Sequence, residues 1–146
     1  MTTHETRIFI NRPPQEVWDI ISNPANIAQW SSNTESAEWT SEGPPGVGST
    51  QRDVGKVLGR KIESTSEITA WDPPKVFGQK STSGPVPWES MWKLEPKENG
   101  TQLTVRAGAE LGGFFKMAEG LVVKQLVKMM DTNIEALKLL LEAGQA

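Results

Sequence analysis

The stretch from Phe114 to Glu142 places apolar side chains at Phe115, Ala118, Val122, Leu126, Met129, Ile134, Leu137 and Leu141. That spacing keeps them on one face of an α-helix. A second row, Phe114, Met117, Leu121, Met130 and Leu140, widens the stripe beyond a coiled-coil seam. A helix of this length runs roughly 45 Å at 1.5 Å per residue. So wide an apolar face needs a broad partner, and the concave side of a curved sheet supplies one. Helix and sheet then either close into a solid core or enclose a cavity. Which of the two occurs separates a purely structural domain from a ligand-binding one.

The rest of the chain reads mostly as strands. Thr6–Ile10 alternates and stops at Asn11-Arg12-Pro13-Pro14, where proline suits a first helical turn because its missing N–H has no intrahelical partner. Val17, Trp18 and Ile21 mark a short amphipathic helix, and Asn23-Pro24 starts a second with Asn23 as its N-cap and Ile27 and Trp30 on its buried side. Strands are expected over Glu35–Thr40, Ser49–Val57, Arg60–Trp71, Lys75–Thr82, Trp88–Glu95 and Gln102–Leu111. Between them lie the Ser41–Gly48 loop, a break at Leu58-Gly59, the turns at Asp72-Pro73-Pro74 and Ser83-Gly84-Pro85, and a tight hairpin signal at Asn99-Gly100. No linker or repeat divides residues 1–146, so a single domain is expected.

Charge and composition exclude several functions. A net charge of -3 gives no positive field for phosphate backbones, so no nucleic-acid partner is expected. Zero cysteines remove disulfide and thiolate chemistry and fit a reducing, cytoplasmic setting. The polar start, with no apolar run after it, leaves no signal peptide expected, and no stretch approaches the apolar length that stable membrane insertion needs. The single histidine, His4, argues against a His-based dyad, and no cluster has metal-ligand spacing. No metal or cofactor is expected. Oligomeric state is not legible.

The order β-α-α-β-β-β-β-β-β-α resembles the START-like, Bet v 1-like superfamily (SRPBCC), also described as polyketide cyclase/dehydrase and lipid-transport proteins. The resemblance is carried by Pro13-Pro14-Gln15-Glu16-Val17-Trp18, Asn26–Trp30, Gly46-Val47-Gly48-Ser49, Ile68-Thr69-Ala70-Trp71-Asp72-Pro73-Pro74, Gly84-Pro85-Val86-Pro87 and Leu111-Gly112-Gly113-Phe114-Phe115. It implies an α+β helix-grip: a curved seven-stranded antiparallel sheet around the C-terminal helix, two short helices after strand 1, and often a ligand cavity between sheet and helix. Its members include lipid carriers, metabolite binders, aromatase/cyclases and co-chaperone regulators. No catalytic residue carries over, since none of the cyclases' chemical motifs is visible and the chain has no Tyr.

Strand alternation indicates which side chains face the helix. With Ile8 and Ile10 inward, the inner set continues with Ile62, Ser64, Ser66, Ile68 and Ala70, then Val76, Gly78, Lys80 and Thr82. Trp88, Ser90, Trp92 and Leu94 follow, and Leu103, Val105, Ala107 and Ala109 complete it. Small residues cluster mid-strand where a solid core places large ones. A cavity bordered by Ser64, Ser66, Trp88, Ser90, Trp92 and Val105, next to Met117, Leu121 and Met129, is therefore expected; the alternative is that Trp and Met side chains swing in and fill the gap. Trp30 is either core or cavity wall. Arg52 and Lys80 are candidates to meet a ligand carboxylate or phenolate, unless they lie exposed or pair with a nearby glutamate. Gln125 and Asn133 border the helix stripe and either reach a ligand or are solvated. Ligand access is expected near Ser41–Gly48, Gly84–Pro87 and Gly112–Phe115.

These features favour a carrier or sensor binding a hydrophobic small molecule or lipid. A polyketide cyclase/dehydratase-type enzyme acting in the same cavity is one alternative, and a co-chaperone-like protein-binding module is another.

Overall fold

The computed structural model describes residues 2–57, 59–110 and 119–143. Strand β1 (Thr2–Ile10) leads into α1 (Pro14–Ile21) and a 3-10 turn (Pro24–Gln29). Strands β2 (Thr34–Trp39), β3 (Thr50–Val57), β4 (Arg60–Asp72), β5 (Val76–Ser83), β6 (Trp88–Lys97) and β7 (Gly100–Ala109) follow, and then helix α2 (Glu119–Ala143). All seven strands form one antiparallel sheet in the order β1-β7-β6-β5-β4-β3-β2. The six later strands form a meander, and β1 pairs with the last of them. This is the helix-grip expected from the sequence. Residues Phe114 to Ala118 of the expected helix lie outside the described residues.

Local chemistry accounts for the helix starts. Pro13 is extended and Pro14 occupies the first turn of α1, whose Val17, Trp18 and Ile21 are buried. The Asn23 carboxamide accepts from the Ala25 N–H at 3.1 Å and caps the next turn, which is 3-10 rather than α. The β6–β7 hairpin turns at Glu98 and Asn99, so Gly100 is the first residue of β7 rather than part of the turn. Gly100 is required there by close approach: a Cβ would collide with the Ile10 carbonyl and the Phe9 ring.

One end of the grip is solid. Ile10, Leu94 and Leu103 are fully enclosed, and α2 covers them with Ile134, Leu137 and Leu141. Trp18 meets Trp71 edge-on at 5.1 Å and Phe77 at 5.9 Å, and Trp39 packs on Trp71 at 6.4 Å.

The pairing of β4 with β5 contains a bulge between Ile68 and Ala70. It sends Thr69 and Ala70 to the outer side together, where a Cβ on Gly78 would touch both. Ile68 and Trp71 therefore both point inward. Across from them Phe77 and Gln79 are buried, while Lys80 is exposed. The inward set expected on this hairpin (Ala70, Val76, Gly78, Lys80, Thr82) is thus displaced by one residue, because a bulge reverses the parity of everything beyond it.

Polar clasps fasten α2 to β1. Thr6 Oγ1 donates to Asp131 Oδ1 at 2.5 Å, with His4 Nε2 3.0 Å from the same oxygen. Lys138 Nζ donates to the Phe9 carbonyl, and the Asn11 N–H donates to Glu142 Oε2 at 2.9 Å. Burial pushes the Asp131 carboxyl up, but the Thr6 and His4 bonds and the His4 charge outweigh it and hold it below the usual range. The Asn11 N–H, then Lys138, hold the Glu142 carboxyl down as well. Carboxyls depressed in the folded state stabilise it above their unfolded values, and that stability is lost as pH falls through the folded values. Melting temperature is expected to drop on acidification below the ordinary carboxylate range. The drop should be shallower in Asp131→Asn and Glu142→Gln than in the parent; an unchanged acid limb would show that these clasps contribute nothing.

Candidate ligand cavity

Toward the N-terminal half of α2 the packing changes. Beneath Leu126 and Met129 the sheet presents Ser64, Ser90 and Ala109 between its larger side chains, and a cavity of about 340 Å³ opens. That volume falls within the roughly 300–1,000 Å³ range of small-molecule sites. Three indoles form its walls: Trp88 and Trp92 from β6, and Trp30, which follows the 3-10 turn and meets Trp92 edge-on at 5.7 Å. Ile27, Val54, Val57, Ile62 and Val86 complete the apolar lining.

The polar part of the lining is an ordered strip. Gln79 Nε2 donates to Gln51 Oε1 at 3.2 Å, and Gln51 Nε2 donates to Asp53 Oδ1 at 2.7 Å. Both glutamines are buried, so each bond fixes the next amide and the chain ends on the carboxylate. Among the described residues Asp53 Oδ2 has no hydrogen-bond partner and no cation pairs with the carboxylate. Burial raises the Asp53 carboxyl above its ordinary value, and the Gln51 bond offsets this only in part. A carboxyl raised on folding lowers stability as pH rises from its unfolded value through its folded one, and the cost persists at neutral pH. Asp53→Asn is therefore expected to melt at or above the parent temperature at pH 7. A clear loss of stability would mean that the charge is compensated.

The rim is set by a second network. Asn133 of α2 is buried and accepts at Oδ1 from the Ser32 N–H and Oγ, both at 2.9 Å. Its Nδ2 donates to Asn33 Oδ1 at 2.8 Å. Asn33 then lies across β3, where its carbonyl accepts from the Lys56 N–H at 2.9 Å. Only glycine fits beneath it at position 55, since a Cβ would overlap the Asn33 carbonyl.

The candidate residues separate cleanly. Trp30, Ser64, Trp88, Ser90, Trp92 and Met129 all border the cavity, with Trp88 Nε1 donating to Ser64 Oγ at 3.2 Å. Ser66 and Val105 face the same way but are enclosed in the solid part, and the Ser66 hydroxyl has no partner among the described residues. Arg52 is on the outer face, where Nε donates to Glu63 at 2.7 Å and Nη1 lies 3.7 Å from Glu38. Lys80 is also outside, in register between Glu67 and Glu89. Leu121, 58% exposed, and Gln125 point to solvent because they lie off the buried arc of α2. Met117 lies outside the described residues. Of the expected access segments, Gly84–Pro87 contributes Val86, no residue of Ser41–Gly48 borders the cavity, and Gly112–Phe115 lies outside the described residues.

Gln51, Asp53 and Gln79 were not anticipated. The signal for Asp53 is the β3–β4 pairing: Val57 opposite Arg60 brings Asp53 opposite Ser64 and Arg52 opposite Thr65. An inward Ser64 therefore requires an inward Asp53 and an outward Arg52. Gln79 is hidden by the β4 bulge.

Among the described residues no group of His, Asp and Glu is arranged to hold a metal ion, and no helix is long and apolar enough to cross a membrane. The fold is shared with a START superfamily protein from Mycobacterium smegmatis (TM-score 0.83, 13% identity, 97% of each chain covered). It is also shared with the Zhui aromatase/cyclase from Streptomyces sp. R1128 (TM-score 0.78, 18% identity, 97% of this chain and 93% of that one). In sequence, the chain is 31% identical to an uncharacterized protein of Mycobacterium tuberculosis H37Rv, over 68% of this chain and 69% of that one. Residues 1–142 match the family described as polyketide cyclase / dehydrase and lipid transport, and with the helix-grip built as above the chain belongs to that family.

Proposed function

We propose that this protein binds a hydrophobic small molecule or lipid between its sheet and α2, as a carrier or sensor acting in the cytoplasm. The observation that carries this reading is the cavity of about 340 Å³ walled by Trp30, Trp88, Trp92 and Met129 while the opposite end of the same grip is packed solid. Interiors close-pack unless something holds space open, and three rigid indoles with serines and alanine between them hold it here.

Titration with fatty acids, flavonoids or polyketide-like aromatics is expected to shift the tryptophan emission saturably, with Trp92→Phe losing much of the response. Ser90→Phe places a ring in the empty volume, so it should fold with near-parental melting while abolishing uptake. A filled site would instead show overpacking, at about 1–3 kcal/mol. Saturable turnover of a bound compound, lost on changing Asp53 while binding survives, would replace the carrier reading by a cyclase-type enzyme. Failure of a broad apolar library to bind would favour a protein-binding role.

A further inference from the structure

The cavity contains one carboxylate whose second oxygen is unclaimed among the described residues, at the end of the polar strip and facing the indole walls. Nothing in the packing of the solid core requires it. Asp53 is on the inner face of β3, oriented by Gln51, which is itself oriented by Gln79. The charged residues of the surrounding elements are directed elsewhere. Glu38 of β2 and Glu63 of β4 pair with Arg52 of β3 on the outer face, and Lys80 of β5 and Glu89 of β6 are exposed there. Lys56 borders the cavity at its rim and is exposed, and α2 contributes Leu126 and Met129. An uncompensated carboxylate in such a site is costly until a cation reaches it. The three indoles supply the other half of a cation site, because their π-faces attract ammonium groups most strongly where water is excluded.

We propose that the natural ligand is a hydrophobic amine or ammonium compound, whose cationic nitrogen contacts Asp53 while its apolar body lies among Trp30, Trp88 and Trp92. This rests on the binding reading above and narrows it to one ligand class. An anionic ligand such as a fatty acid would still bury its chain but would bring its carboxylate against Asp53, and so bind more weakly than an amine of the same shape. A neutral ligand would leave the carboxylate unpaired.

Three probes of one shape test this by calorimetry: 2-(1-naphthyl)ethylamine, the corresponding alcohol and 1-naphthylacetate. The amine is expected to bind about tenfold or more tighter than the alcohol, as a desolvated charge-assisted contact implies, with the acetate weakest. In Asp53→Asn the amine's advantage should vanish. In the parent it should fall as pH is lowered through the raised Asp53 pKa, with no matching fall for the alcohol; this arm needs no variant to fold. Equal binding of alcohol and amine by the parent overturns the amine inference and leaves the cavity reading intact. So does an amine preference that survives Asp53→Asn. Binding of none of the three overturns both.

Discussion

Leu137→Asp is expected to leave no folded population. Leu137 is fully buried at the solid end of the grip, where α2 meets the sheet. A charge there has no partner and no route to water, and the cost of burying it rivals the roughly 5–15 kcal/mol that holds a typical domain together. The milder Leu137→Ala removes a buried side chain from a tightly packed site and should lower the unfolding free energy by about 2–5 kcal/mol. Leu139, two residues on and 59% exposed, is the internal control: Leu139→Asp should stay within about 0.5 kcal/mol of the parent. Urea unfolding followed by circular dichroism reads all three. Equal effects at 137 and 139 would mean that α2 does not pack on the sheet by this face. Leu126 is a poorer test than its place in the apolar stripe suggests, because it is only half-buried and borders the cavity.

Asn133→Ala should be the next most damaging of these changes. Its carboxamide satisfies the Ser32 N–H and Oγ and donates to Asn33, all from the segment that forms the cavity rim. Removing it takes the acceptor from the Ser32 N–H and one of two donors from Asn33 Oδ1, which keeps Ser31 Oγ at 2.8 Å, and bonds of this kind are worth about 0.5–1.5 kcal/mol each. The effect should also be local. Exchange of the Ser32 amide hydrogen should accelerate more than that of amides at the solid end, because its acceptor is gone. If Ser32 exchange is unchanged, Asn133 does not clamp the rim. The reading of Asn133 as either ligand contact or solvated margin misses this role, since the partner segment is a hundred residues away and no local pattern announces it.

The elements themselves were legible because their signals are local. Proline at the start of α1, Asn23 before the 3-10 turn and the period of α2 each act within a few residues, and the strand count follows from turn chemistry. Facing was legible where pairing is regular. The alternation of Trp88, Ser90, Trp92 and Leu94 against Ala109, Ala107, Val105 and Leu103 runs without interruption. It failed where backbone irregularity intervenes: the bulge after Ile68 turned Gln79 inward and Lys80 outward.

The sequence by itself determined that a wide apolar helix must meet a sheet with small residues at its middle, since periodicity and side-chain volume are properties of the chain alone. It also determined that any side-chain chemistry would rest on carboxylates, Lys, Arg and hydroxyls, because His4 is the only histidine and cysteine is absent. Only the tertiary structure decided where the grip is solid and where it is hollow. It also decided which charge enters the hollow: Arg52 and Asp53 are adjacent in sequence, so strand alternation sends them to opposite faces. The register of β3 against β4 assigned the carboxylate to the cavity and the guanidinium to Glu63 outside. That choice depends on a long-range pairing, and one residue of slip would have reversed the sign of the charge inside the site.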